Sequence, residues 1–493
     1  MSNQMKKLLI GGSLGLILVI LLLFFFGIFS VEGFFGIDFF RNIGAKPELA
    51  MVEMEQEEYQ EEPTSTLTEV PGEVPTEVII SKPTLEPEPT VTITPEPIST
   101  EETRETGPFG PDSKDFPEGV NMLTGKYVKD PETLNFLPAL VSITNWPITA
   151  RPQAGIGSAS LIYEIYIGQG MSRFLTLFYG EFPGGSQEGN DGGDDLAIEN
   201  SGADSIGPIR SGRLPYESIR KINNGFLVMA SAFAGVSQNL DKVTNVFGSD
   251  PDNINSAMMP AGQLQEIAAQ YVGGLVSGSL SGNLFDATPP QGGVPGETFW
   301  FIYNIQNQIA WRYDEMTGSY YRYADQADGK TFVKLADRLD NQVVDVSNVV
   351  LLYVNHRYCT EKAFDVDLLS IGAMPAVIFR DGKKYDVNWT TRNGEFEVET
   401  GALRPIRFID ENGDPFALKP GPTWFILVPN LTPIWEAPLF EDVPTDLDVW
   451  VPEEPDKLIY RLLNMKEPGT GVWVSRFYQS LMIYDQNVCS QIQ

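Results

Sequence analysis

The hydrophobic pattern of the chain begins with an uncharged apolar run, Leu8 to Ser30, which follows Lys6 and Lys7. At about 1.5 Å per residue, this run is long enough to cross a hydrocarbon core of roughly 30 Å. Lysines before the run and acidic residues after it favour a cytoplasmic N-terminus by the positive-inside rule. The pattern therefore predicts a cytoplasmic end (1–7), a transmembrane anchor (8–30) and an extracytoplasmic remainder, with a cleaved signal peptide as the alternative.

The polar pattern that follows is typical of a stalk. Residues 46–115 contain 18 acidic residues, 4 basic residues, 11 prolines and 11 threonines. Such a composition buries too little apolar surface to offset the entropy cost of ordering the chain, and its prolines and like charges keep it extended. Residues 31–115 are therefore predicted to form a juxtamembrane segment and a disordered stalk.

Strand-like and helix-like patterns alternate between about 116 and 285. Apolar runs predict strands, a glycine-containing turn at 168–170 predicts a hairpin, and apolar residues at 3.6-residue spacing predict helices. The predicted strands are Phe136–Trp146, Leu161–Ile167, Arg173–Tyr179 and the continuously apolar Gly225–Phe233, and the predicted helices are Leu214–Asn223 and Ala261–Val272. This alternation is typical of an α+β or α/β N-terminal domain.

A proline- and glycine-rich linker, 286–297, precedes a region of different character. From 298 to 430 the chain has short strand-like runs with turn signals, including a hairpin over Ile309–Tyr323, which predicts a smaller, mostly β domain. Residues 431–493 form a C-terminal extension to which the sequence assigns no role. Cys359 and Cys489 lie on the extracytoplasmic side of the predicted anchor, where they form a disulfide or remain two free thiols.

Composition argues against several classes of function. The formal net charge is −32, whereas a protein that binds nucleic acid needs a basic surface. The sequence holds one histidine, His356, and two cysteines. These are too few for a Cys/His zinc cluster. We therefore expect no nucleic-acid partner, no metal site and no cofactor.

The candidate site consists of charged and polar side chains set among apolar, strand-like neighbours, where an ionised group persists only if it is paired or reaches water. Its ligand-binding residues are predicted to be Asn145, Arg151, Glu164, Arg173, Arg210, Ser211 and Arg213. Arg210 and Arg213 lie just before a predicted helix, where guanidinium and backbone N–H groups together suit an anion. The alternative is that they tie the loop to neighbouring carboxylates. The hairpin loop decides whether Arg173 shares the face of Glu164.

Five pieces of sequence recur in the order seen in a known family. They are Asn145, Ala150-Arg151-Pro152-Gln153-Ala154-Gly155, Tyr163-Glu164, Ser172-Arg173-Phe174 and Gly207-Pro208-Ile209-Arg210-Ser211-Gly212-Arg213. Together they resemble the YerB-like family, named for a Bacillus lipoprotein and known as domain of unknown function 3048 (DUF3048), over about 130–275. Weaker pieces over about 296–429, such as Phe379-Arg380-Asp381-Gly382-Lys383, resemble the family's C-terminal domain.

The resemblance implies a two-domain, extracytoplasmic, cell-surface protein of Gram-positive-type bacteria and their relatives. It implies no particular reaction. Phe233 stands where the family pattern leads us to expect a histidine, and Ser160 stands where we expect an aspartate. A catalytic role of those positions in relatives would therefore not carry over to this chain.

Three functions fit these residues. The first is a membrane-anchored envelope protein that binds an anionic or polyhydroxy ligand, such as a cell-wall component, through Arg173, Arg210 and Arg213. The second is an enzyme that acts on wall material with Glu164 as general acid or base, although most glycosidases need two carboxylates. The third is a structural envelope scaffold, in which the charged residues form a buried network with no ligand site.

Overall fold

The computed structural model describes residues 107–184, 204–360, 363–440 and 443–492. The predicted anchor, the stalk up to residue 106 and most of the acidic loop after β5 lie outside the described residues. Within the described part, no helix is both long and apolar enough to span a bilayer. Residues 107–115, which the sequence assigns to the stalk, belong to the folded part, because Phe109 is buried and exchanges backbone hydrogen bonds with Phe285.

The described elements up to residue 297 are mostly strands. The strands are β1 (Val120–Asn121), β2 (Lys126–Tyr127), β3 (Ala139–Thr144), β4 (Leu161–Gly168), β5 (Met171–Phe178), β6 (Ser205–Ile206), β7 (Phe226–Met229), β8 (Val243–Asn245), β9 (Met259–Pro260), β10 (Leu284–Phe285) and β11 (Val294–Pro295). The α-helices are α1 (Pro215–Ile222), α2 (Ala234–Ser237) and α3 (Ala261–Ala269), and short 3-10 helices are Ser113–Asp115, Pro131–Asn135, Ile148–Ala150 and Ile156–Ser158. The helices predicted at 214–223 and 261–272 are confirmed, and α2 was not predicted.

Strands also dominate the rest of the described chain. They are β12 (Thr298–Asn304), β13 (Asn307–Asp314), β14 (Ser319–Asp325), β15 (Phe332–Lys334), β16 (Asp345–Val346), β17 (Asn348–Thr360), β18 (Ala363–Asp367), β19 (Met374–Arg380), β20 (Lys383–Thr390), β21 (Arg407–Ile409), β22 (Ala417–Leu418), β23 (Thr423–Pro429), β24 (Ile434–Glu436), β25 (Val449–Trp450), β26 (Val472–Arg476) and β27 (Ile483–Tyr484). The helices are α4 (Glu395–Thr400), α5 (Pro455–Asn464) and α6 (Gln486–Ile492), with a 3-10 helix at Gln479–Leu481. The described part of the chain is therefore mostly β with few helices.

Two sheets organise the described structure. The large sheet has the strand order β11-β20-β19-β17-β23-β4-β5-β3-β7-β8, with β18, β21 and β27 attached to it. The second sheet has the order β24-β26-β12-β13-β14-β15-β25, with β16 attached. Because β4 pairs in parallel with β23, the large sheet combines strands from the two regions in which separate domains were predicted.

The predicted hairpins are confirmed. β4 and β5 pair antiparallel around Gln169 and Gly170, whose φ angles of 53° and 71° lie in the left-handed region that a tight hairpin turn requires. β13 and β14 also pair antiparallel. The long apolar run Gly225–Phe233, in contrast, is not one buried strand. β7 ends at Met229, the chain turns, and the side chain of Phe233 is exposed.

The core lies in layers on both faces of the large sheet. On one face Phe174 and Trp424 pack against residues of the second sheet such as Trp311. On the opposite face Tyr163 packs with the apolar side of α1, including Ile219. A third group of apolar residues lies between the second sheet and α5. Alternation along β4 therefore determines which layer each of its side chains enters.

The C-terminal extension belongs to the described fold. β26 pairs in parallel with β12, and β27 pairs in parallel with β17. Cys489 in α6 forms a disulfide with Cys359 in β17, with their Cα atoms 5.2 Å apart. Of the two alternatives that the sequence left open, the structure therefore has the disulfide.

Candidate functional site

The predicted site residues fall into two groups because of the register of the β4–β5 hairpin. Glu164 pairs with Phe174, and Arg173 pairs with Ile165. Since directly paired residues point to the same face of a sheet, Arg173 lies on the face opposite Glu164. Asn145, Arg151 and Glu164 form one group, which we call the buried network. Arg173, Arg210 and Arg213 form the other, which we call the arginine cluster, and Ser211 lies with it because its carbonyl accepts from Arg173.

Glu164 is the centre of the buried network. Its side chain is 0% exposed and both of its carboxylate oxygens accept hydrogen bonds. Arg322 Nη2 donates to Oε1 at 3.0 Å and to Oε2 at 3.2 Å. Ser172 Oγ donates to Oε1 at 2.7 Å, and Trp424 Nε1 donates to Oε2 at 3.0 Å. Both oxygens of the carboxylate are therefore occupied by hydrogen bonds within the protein.

Further hydrogen bonds extend the buried network to Asn145 and Arg151. Asn145 Nδ2 donates to Ser172 Oγ at 2.8 Å, and Arg151 Nε donates to the Asn145 carbonyl at 3.1 Å. Arg151 Nη1 then donates to the carbonyl of Asp325 at 2.7 Å. Burial, and next the charge of Arg322, lower the pKa of the Arg151 guanidinium to about 10. The buried network thus joins the large sheet to β14 of the second sheet.

Three members of the buried network, Ser172, Arg322 and Trp424, were not predicted as site residues. Arg322 is 1% exposed, and its guanidinium lies 5.2 Å from the centroid of the Phe174 ring and 5.1 Å from that of Trp424. A signal for it was present, because Arg322 sits among tyrosines in a predicted strand just as Glu164 sits among apolar residues. Trp424 gave no such signal, since a tryptophan in a strand is ordinary core.

The arginine cluster lies on the other face of the large sheet, where α1 packs. Arg173 is 3% exposed, and its Nη1 donates to the carbonyl of Ser211 at 2.7 Å. Arg213 Nη1 donates to the carbonyl of Gly212 at 3.0 Å, and Arg210 Nη1 donates to the carbonyl of Ile254 at 3.3 Å. Arg173 and Arg213 therefore bind the backbone of residues 211–212, whereas Arg210 binds the loop that follows β8.

The charges of the arginine cluster act on one another. Burial, and then the neighbouring Arg173, lower the pKa of Arg213 to about 10. Burial and Arg173 also lower the pKa of Arg210. Within the described residues, no carboxylate lies within ion-pair distance of Arg173, Arg210 or Arg213, and the buried Nε atoms of Arg173 and Arg210 have no hydrogen-bond partner. The arginine cluster thus contains positive charges that repel one another and buried N–H groups that lack a hydrogen-bond acceptor.

The topology of the sheet places the arginine cluster at a defined edge. β3, β7 and β8 run parallel, so their carboxyl ends meet at one edge of the large sheet. The Arg210 N–H donates to the carbonyl of Ser142 in β3 at 2.8 Å, and the Arg210 carbonyl accepts from the N–H of Ala230, just after β7, at 3.0 Å. α1 begins two residues after Arg213, with no side-chain cap on its first turn. Ligands of open parallel sheets bind at such an edge.

Side chains of the types that bind metal ions are not clustered in the described part of the chain. Among the described residues, no three His, Cys, Asp or Glu side chains lie close enough together to hold a metal ion. His356 is enclosed in β17 beside the ring of Phe477, at 5.4 Å between centroids. Burial lowers the pKa of His356 to about 4, which keeps the imidazole neutral near pH 7.

Comparison with known proteins gives a consistent set of similarities. Residues 123–262 match the model for the N-terminal domain of the "protein of unknown function (DUF3048)" family, and residues 301–425 match its C-terminal domain. The chain is 23% identical over 317 residues to the putative lipoprotein YerB of Bacillus subtilis strain 168, covering 60% of this chain and 82% of the relative. The crystal structure of the YerB protein from Bacillus subtilis aligns with a TM-score of 0.47 at 20% identity, over 63% of this chain and 97% of that one.

Proposed function

The chain belongs to the YerB-like DUF3048 family, and from that premise we propose that it is a membrane-anchored, extracytoplasmic envelope protein that binds an anionic ligand through its arginine cluster. Anchoring and location are supported by the apolar run 8–30 and by the relative's description as a putative lipoprotein. The proposed anchor is a transmembrane segment, which the length of the run and the lack of a nearby cysteine for acylation support. The proposed ligand is an anionic component of the cell wall.

One observation carries the ligand proposal: three guanidinium groups gather without a described carboxylate partner in an acidic protein. Keeping like charges together in a partly buried place costs free energy unless an anion compensates them. Arginine suits phosphate and carboxylate groups because its planar fork donates two parallel hydrogen bonds. Acidic residues outnumber basic ones in the chain, with 66 Asp and Glu against 34 Lys and Arg. A concentration of unpaired arginines is therefore unusual within it.

The geometry does not favour Glu164 as a general acid or base. Such a group must come within about 2.6–3.2 Å of the proton it transfers. Glu164 is fully buried, and its oxygens are bonded to Arg322, Ser172 and Trp424. A structural role for the buried network, which joins the two sheets, fits these contacts better.

Isothermal titration of the full-length chain in detergent with inorganic phosphate, pyrophosphate and purified anionic wall fragments tests ligand binding. The variant Arg210→Ala/Arg213→Ala should lose binding to each ligand that the parent protein binds. Lys383→Ala/Arg392→Ala removes two exposed cations elsewhere and should bind like the parent, which controls for the change in net charge. Absence of binding in the parent protein, or equal binding by the Arg210/Arg213 variant, would overturn the proposal.

A separate experiment tests the location. External protease added to intact cells should remove the chain beyond Lys46 and leave a short membrane-bound stump. A soluble protein that begins near Ser30 would show that the apolar run is a cleaved signal peptide instead.

A further inference from the structure

Large apolar side chains are exposed beside the arginine cluster. Phe233 is 67% exposed, Phe247 is 76% exposed and Ile254 is 47% exposed. Single exposed apolar residues are common on protein surfaces, but grouped ones mark contact sites. Their positions relative to the arginines therefore decide whether they belong to the same site.

Backbone hydrogen bonds connect these residues to the cluster. Phe233 follows Ser231, whose carbonyl accepts from the N–H of Gly212 at 2.9 Å. Phe247 follows Val246, whose N–H donates to the carbonyl of Met229 at the end of β7, also at 2.9 Å.

Ile254 is connected directly, because its carbonyl accepts from Arg210 Nη1 at 3.3 Å. The apolar residues and the arginines therefore share the carboxyl edge of β3, β7 and β8.

Hydrogen-bonding groups complete this edge. Ser231 is exposed and has a φ of 61°, a conformation that non-glycine residues adopt rarely and that clusters at functional sites. Asn245, at the end of β8, is exposed, as are Asp250 and Asn253 on the loop that follows it. Hydroxyl and amide groups donate to and accept from sugar hydroxyls, and carboxylate groups accept from them.

The geometry points to a phosphorylated saccharide as the ligand of this edge, an inference that rests on the proposed anion site. The phosphate reaches Arg173, Arg210 and Arg213, and the apolar face of a sugar ring packs on Phe233 and Phe247. Because the Arg173 side chain is only 3% exposed, a ligand that contacts it must end in a small anionic group. Arginine and aromatic side chains thus each recognise a different part of one molecule.

An anionic membrane surface is the competing occupant for exposed phenylalanines beside arginines. Two features argue against it. Asp250 and Asp252 are exposed on the same loop as Ile254, and a negatively charged bilayer would repel them. A flat bilayer also cannot present its charge to a guanidinium as deeply placed as that of Arg173.

The test compares four probes on the full-length chain in detergent: inorganic phosphate, glucose 1-phosphate, glucose, and nanodiscs or vesicles that contain phosphatidylglycerol. The parent protein should bind glucose 1-phosphate more tightly than inorganic phosphate. Phe233→Ala/Phe247→Ala should weaken glucose 1-phosphate binding roughly ten-fold, the effect of losing two ring contacts, and leave phosphate binding unchanged. Tyr460→Ala, which removes an exposed aromatic ring on α5, should bind all probes like the parent.

The outcomes separate this inference from the proposed function. If phosphate and glucose 1-phosphate bind equally well, and the phenylalanine variant binds both like the parent, the saccharide inference is overturned while the anion site stands. If neither phosphate nor glucose 1-phosphate binds, the saccharide inference is overturned, and the titration with pyrophosphate and anionic wall fragments then decides whether the anion site stands. Binding of phosphatidylglycerol vesicles that depends on Phe233 and Phe247, without preference for glucose 1-phosphate, would overturn the saccharide in favour of a lipid.

Discussion

Replacing Glu164 with leucine is expected to lower the free energy of unfolding by about 3 to 5 kcal/mol, because it strands the charge of Arg322 in the interior. Arg322 is 1% exposed and loses the only ion-pair partner described for it. The O–H of Ser172 and the N–H of Trp424 lose their acceptor as well, and unsatisfied buried donors are costly. A loss of this size is a large fraction of the roughly 5 to 15 kcal/mol that stabilises a typical domain.

Two further variants make this experiment decisive. Glu164→Leu/Arg322→Met removes both charges and keeps apolar contact with the Phe174 and Trp424 rings, so it should recover the part of the loss that the stranded charge causes, while Ser172 and Trp424 remain without their acceptor. Asp456→Ala breaks the exposed ion pair with Lys330 and should leave the stability close to that of the parent protein.

Urea denaturation followed by tryptophan fluorescence measures all three variants. A loss below about 1 kcal/mol for Glu164→Leu, or a double variant at least as unstable as the single one, would refute the assignment of a coupled buried pair.

Three other predictions use the same measurement. Arg210→Ala/Arg213→Ala should change the free energy of unfolding by only about 0 to 1 kcal/mol, because no described carboxylate is stranded, and a loss above about 3 kcal/mol would contradict an open anion site. Burial lowers the pKa of His356 to about 4, whereas its value in the unfolded chain is 6.5. The contribution of the neutral, buried imidazole to stability is therefore fully present above pH 6.5 and is lost as the pH falls from 6.5 to about 4. The slope is at most about 1.4 kcal/mol per pH unit, and a His356→Gln variant whose pH profile still parallels the parent's would contradict this. Cys359→Ser/Cys489→Ser should lose about 5 kcal/mol on the chain-entropy model for a loop of 130 residues, and unchanged stability relative to the oxidised parent would contradict it.

Local elements could be predicted from the sequence, because their signals are local. The β4–β5 hairpin has two apolar runs around Gly168-Gln169-Gly170, and α1 has a proline in its first turn. The face of Arg173 could not be predicted, since an irregularity in pairing between Tyr166 and Gly168 changes the parity of the loop. A shift of one residue in the pairing of β4 with β5 thus places Arg173 on the face opposite Glu164, which divides the candidate site into two groups.

Contacts between residues far apart in the chain could not be predicted from the sequence. Glu164 and Arg322 are 158 residues apart, and although Arg322 lies among tyrosines in a predicted strand, nothing local indicates that its partner is Glu164. The apolar run that ends at Phe233 shows a related limit. Periodicity does not separate a buried strand from a strand followed by an exposed turn, and the turn depends on the positive φ of Ser231.

The pairing of β4 with β23 has a consequence for how the protein is made. Leu161 lies opposite Thr423, so the hydrogen-bonding edge of β4 has no partner until about 260 more residues have been synthesised. At roughly 5 to 20 residues per second, that interval lasts from about ten seconds to nearly a minute. An unpaired strand edge is a template for association with other chains throughout that time. Biogenesis of this protein therefore depends on protecting this edge of β4 until β23 has been synthesised.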